Sequence, residues 1–223
     1  MKSRRSVLKV GGIVAVLGVV GAGAAGVVPG LSSLMGTASP RDLGVRYTQA
    51  DYESGLAKIP GHTVSNPEYM CVTCDYRSSG SVPADATFTQ EEFTAQLDTL
   101  NSKKGPIKDW QVRFNDDGSV ESSALVKYDM LRVPVYVKGR VDDYSSRRVE
   151  LNVEDVEVDG IGLSGSRTRE ATDLANEFVQ DFFVRNPGLS VEQLDVGSGE
   201  VHFKGTFPEE MEGDPNVVPE SLP

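Results

Sequence analysis

Three runs between Trp110 and Val158 alternate apolar and polar residues, a period of two that only an extended strand with one buried face satisfies. Trp110, Val112 and Phe114 open the series. Asp117-Gly118 supplies a hairpin turn, and Val120 begins the return strand. Val133, Val135 and Val137 then share one face, and Val149, Leu151 and Val153 share another, after which the apolar set moves by one residue to Val156 and Val158. A slip of one residue exchanges the faces of a strand unless an extra residue is looped out, so the shift predicts a β-bulge and a curved sheet.

Helical signals bracket these strands. Thr89 with Glu92 forms a capping box, Phe88 and Phe93 occupy the flanking staple positions, and Phe93, Leu97 and Leu100 make one apolar stripe that ends by Gly105-Pro106. A second helix is predicted from Thr168 to Arg185. Its apolar residues Ala171, Leu174, Ala175, Phe178, Val179, Phe182 and Phe183 span a wide face that a sheet must enclose, and Asn186-Pro187-Gly188 stops it. A hairpin turning at Gly197-Ser198-Gly199 closes the order. The expected fold class is α+β, a curved antiparallel sheet wrapped around one or two helices.

The N-terminus has a different composition. Lys2, Arg4, Arg5 and Lys9 precede an uncharged Gly/Ala/Val run from Val10 to Val28, which is the pattern of an export signal or membrane anchor. Ser3 to Lys9 resembles the twin-arginine export motif through Arg4 and Arg5, with Val7 where that motif usually carries Phe. Cleavage after Ala38 and retention as an anchor both place the remainder outside the cytoplasm, secreted or held at the outer face of the cell membrane. The expected organisation is therefore 1–38 signal or anchor, 39–81 extended spacer, 82–208 α+β domain and 209–223 disordered acidic tail. Without the four N-terminal cations the net charge moves from −11 to about −15, which excludes a nucleic-acid partner and leaves the membrane as the one implied by the N-terminal segment.

The only cysteines, Cys71 and Cys74, form a C-x-x-C pair in the spacer. Haem attachment fails because Asp75 stands where a His is required, and the Ser/Gly/Pro-rich sequence that follows denies the helix of a thioredoxin-type site. A structural disulfide is the default in an oxidising compartment; zinc would need both His62 and His202. No other chemistry is signalled. Gly160, Gly162, Ser164 and Gly165 do not compose G-x-S-x-G, the acids from Asp142 to Asp159 lack a calcium-loop spacing, and no phosphate or dinucleotide loop is present. His202, between Val201 and Phe203, is expected to face solvent. No catalytic residue, metal or cofactor is assigned.

The series "FTQEEFTAQLDTLN", "DWQVRFNDDGSVESSALV", "VELNVEDVEVDGIGLS" and "VHFKGTFP", across about 82–208, resembles bacterial envelope proteins of the LmeA-type phospholipid-binding and YpmS-like groups. That resemblance implies a fold like the tubular lipid-binding modules, with a curled sheet and a helix enclosing an apolar groove. It carries no catalytic residue. The leading expectation is an envelope-associated module binding a lipid or other apolar ligand against Leu174, Phe178, Phe182 and Phe183. The competing readings are a ligand-free structural or adaptor domain, in which those side chains are ordinary core, and, third, a lipid hydrolase.

Overall fold

A computed structural model describes residues 39–216, except 72–73, 102–104 and 129–130. In chain order the elements are α1 (Gln49–Ala57), β1 (Thr63–Ser65), β2 (Tyr76–Ser79), β3 (Val82–Thr89), α2 (Gln90–Asn101), β4 (Ile107–Phe114), β5 (Val120–Tyr128) and β6 (Leu131–Ser145). Next come β7 (Arg148–Val158), β8 (Ile161–Leu163), α3 (Ser166–Arg185), β9 (Ser190–Gly197), β10 (Glu200–Phe207) and β11 (Glu210–Gly213). β4 to β8 form a five-stranded antiparallel meander, β3-β10-β9 a second antiparallel sheet, and β1-β11-β2 a small third one. The fold is α+β, with one continuous core between the two larger sheets, α2 and α3.

Local rules account for most of this. Thr89 and Glu92 form the reciprocal cap: the Glu92 backbone N–H donates to Thr89 Oγ1 and the Thr89 N–H to Glu92 Oε2, 3.2 and 2.9 Å. Phe88 and Phe93 are both buried beside it. On β7, Asp155 pairs with Lys138 and Val153 with Gly139, which leaves Glu154 looped out at the bulge that the apolar slip predicts. Gly139 is required opposite that bulge, because a Cβ there would lie 2.7 Å from the Asn152 carbonyl oxygen.

α2 and α3 act as substitute strands. α2 covers the free edge of β4, where Thr94 Oγ1 accepts from the Val112 N–H at 3.1 Å and Asn101 Nδ2 donates to the Ile107 carbonyl. α3 covers the edge of β7 beyond the reach of β8. Asn176 bonds both backbone groups of Leu151, at 2.8 and 3.1 Å, and Thr172 Oγ1 accepts from the Val153 N–H at 3.2 Å. Backbone groups on a buried edge must be paired, and these polar residues on otherwise apolar helix faces pair them.

Two boundaries differ from the sequence reading. Residues 39–81, expected as an extended spacer, are part of the domain and contain α1, β1 and β2. Their first stretch is an arm on the outer face of the five-stranded sheet, with Leu43 and Val45 buried against Tyr136. Arg41 stacks 4.1 Å from the Tyr136 ring centroid, whose hydroxyl donates to Glu121 Oε1 at 2.8 Å. Residues 210–213, expected within the disordered tail, form β11, the central strand of the small sheet. These segments are too short for a period, and α1 buries only Tyr52 and Gly55, so no apolar stripe announces them. The export segment and Arg4 and Arg5 lie outside the described residues. Among the described residues no helix is long and apolar enough to cross a membrane.

Candidate ligand site

The small sheet joins the two ends of the domain. β1 pairs in parallel with β11 through Val64 and Met211, and β11 pairs antiparallel with β2. Between this sheet and the helices lies a cavity of about 130 Å³, open to the surface. Leu56 of α1, Phe93 and Leu97 of α2 and Phe182 of α3 wall one side; Val64 and Met211 face them, and Phe88 and Phe207 complete the lining. No charged side chain among the described residues lines it.

Among the described residues three polar side chains, His62, Tyr76 and Gln96, touch the cavity, and each is fixed by a protein partner. His62 Nδ1 lies 2.6 Å from the Pro208 carbonyl, which can only accept, so the proton is on Nδ1. The ring meets Phe207 edge-on at 5.9 Å. Burial lowers the pKa of His62 from its ordinary value, and the bond to Pro208 only partly opposes this, so the ring is neutral at pH 7. Gln96 Nε2 donates to the Tyr52 carbonyl at 2.7 Å, and Asn186 Nδ2 donates to the Tyr76 hydroxyl at 2.7 Å.

α1, which supplies the outer wall, is fastened by a set of polar contacts. Lys58 Nζ donates to Glu92 Oε2 at 2.6 Å and to the Thr87 carbonyl at 2.7 Å, and Ser54 Oγ donates to Glu92 Oε1 at 2.7 Å. Glu92 thus caps α2 and fastens α1 with one carboxylate.

Cys71 and Cys74 are joined in a disulfide, and Cys71 forms part of the cavity wall. β2 follows the pair, not a helix, so the arrangement that activates a thioredoxin-type thiol is missing here. His202 stands apart on β10, with Nε2 2.8 Å from Asp85 Oδ1 of the neighbouring strand. Among the described residues no group of three or more His, Cys, Asp or Glu side chains is placed to hold a metal ion.

Of the four residues expected to contact a ligand, Phe182 lines the cavity. Phe183 is fully buried in the core, and Leu174 and Phe178 are half-buried against it. Val179 and Ala175, beside Phe183, are also buried, so α3 and the five-stranded sheet meet in a filled interface. Leu56, Val64, Met70 and Met211 were not legible as site residues; Phe93 and Leu97 were visible only as a helix stripe. A broader hollow of about 450 Å³ beside the arm differs in having charged side chains, Arg41, Glu157 and Asp159, at its border.

Compared with family models, with curated proteins and with solved structures, the chain matches none of them.

Proposed function

We propose that this chain is an exported, envelope-associated module that binds an apolar ligand, seated in the cavity between α1, α2, Phe182 and the small sheet. The observation that carries the proposal is the uncharged 130 Å³ cavity opening to the surface, with a half-buried Phe182 in its wall. An apolar cavity of about 150 Å³ stays dry and accepts a ring the size of benzene, so this one suits the end of a single hydrocarbon chain. A ligand that enters gives these walls the van der Waals partners that an empty apolar cavity lacks.

The export pattern and the disulfide support an extracytoplasmic site, and kinship with the LmeA-type and YpmS-like proteins belongs to the same proposal. A second reading, a ligand-free structural or adaptor domain, is favoured by the filled interface around Phe183. Native mass spectrometry with lipid extraction separates the two. A co-purifying hydrocarbon-chain ligand, lost in Phe182→Ala, is expected; a ligand-free wild type that also captures no added lipid would leave the structural reading. Lysine at both Arg4 and Arg5 is expected to block export. Undiminished export would point to the general secretory route or a simple anchor.

A further inference from the structure

Three of the four sulfur-bearing side chains among the described residues line this one cavity. Met70, Cys71 and Met211 line it, and Cys74 closes the disulfide with Cys71. One of the chain's two histidines, His62, lines it as well. Register brings the donors together. Met211 is the partner of Val64, two residues beyond His62, so the two strands present these side chains to the same space. Gly213 follows Met211 on the same face of β11, and a Cβ on Gly213 would lie 3.0 Å from Met70 Cγ, so Met70 packs directly on that bare backbone. Met70 and Met211 are both buried.

From this arrangement we propose a soft-metal site for copper(I), with the thioethers of Met70 and Met211 and Nε2 of His62 as its donors. Three observations carry it, and none depends on a lipid ligand. First, His62 is set up as metal-binding imidazoles are: Nδ1–H is spent on a backbone carbonyl, which fixes the tautomer and leaves the Nε2 lone pair available. No described residue hydrogen-bonds Nε2. Second, thioethers are soft, polarizable donors on unbranched chains, and soft sulfur ligands select copper(I) over the harder divalent ions. Third, among the described residues no carboxylate lines the wall, so a zinc, calcium or magnesium ion would carry two uncompensated charges into apolar surroundings, whereas copper(I) brings only one. The cysteines are spent on each other and are not donors.

The test uses the full chain, delipidated, with its disulfide intact. It is titrated anaerobically with copper(I) in ascorbate against bathocuproine disulfonate. One equivalent retained against the chelator is expected, with both sulfur and nitrogen scatterers in copper X-ray absorption. Met70→Leu, Met211→Leu and His62→Gln should each weaken retention at least tenfold. Methionine-to-leucine changes nearly conserve volume, so unchanged thermal unfolding of those variants shows that the lost binding is not lost folding. Failure to hold copper(I) against the chelator would overturn the proposal, as would retention that survives all three substitutions. Retention that disappears only in the Cys71→Ser, Cys74→Ser variant would also overturn it, by assigning the metal to thiolates. None of these results bears on hydrocarbon binding, which the lipid extraction reads separately.

Discussion

Glu92 is the residue whose replacement should tell most about how this domain is held together. Its carboxylate accepts from the Thr89 N–H, Ser54 and Lys58, joining the start of α2 to the helix that walls the cavity. Loss of the cap alone is worth about 1 kcal/mol. Breaking a fully buried ion pair costs about 3 to 5 kcal/mol, but the Lys58 side chain is 32% exposed and can regain water. Glu92→Ala, which removes the carboxylate half of the capping box and the ion pair but keeps the bond from the residue 92 N–H to Thr89 Oγ1, is therefore expected to cost about 3 kcal/mol. Glu92→Gln keeps an acceptor for the Thr89 N–H but loses the charge and turns the oxygen that accepts from Ser54 into a donor, for about 1 to 2 kcal/mol.

The pH dependence has a definite sign. Burial alone would raise the Glu92 pKa, but hydrogen bonds from Lys58, Ser54 and the Thr89 N–H, with the Lys58 charge, outweigh it and hold the carboxyl below its ordinary value. A lowered folded value contributes stability that is complete above the unfolded carboxyl range, about 4.3, and is lost as pH falls through the folded value. Urea unfolding of wild type and Glu92→Gln should show a gap at pH 7 that narrows toward pH 3. Hydrogen exchange should show α1 loosened before the rest of the domain. A gap below about 0.5 kcal/mol at pH 7, or one independent of pH, would refute the reasoning.

Phe183→Ala should cost about 3 to 5 kcal/mol in denaturant unfolding, as a full deletion from a filled core, while Phe182→Ala, at a cavity wall, should cost less than half of that. The purified protein should show no free thiol with Ellman's reagent, and the Cys71→Ser, Cys74→Ser variant should keep its fold by circular dichroism because the loop it opens is very short. Asn176→Leu removes the pairing of both Leu151 backbone groups and should lower stability by about 2 to 3 kcal/mol in thermal unfolding.

How much was legible depended on whether a segment carried its own reason for its structure. The capping box at Thr89, the bulge at Glu154 and the hairpins at Gly118 and Gly199 are local devices, and each lies where its residues place it. Asn176 and Thr172 were opaque for the opposite reason. On a helix they look like ordinary polar residues, and only the strand edge they serve explains them. The same holds for β11: four residues with one apolar side chain, Met211, form the middle of a sheet because β1 and β2 arrive on either side of it.

That difference bears on where function should be sought. The alternating strands and wide apolar faces that announce themselves do so because they fill a core, and a filled core leaves no room for a ligand. The small sheet is too short to build a core of its own. It closes against α1 and α2 through a few side chains from both ends of the domain, and α1 is fastened by a set of polar contacts. An imperfectly filled joint between such pieces is where a cavity survives, so Phe182, at the end of the legible helix face, meets open space while Phe183 does not.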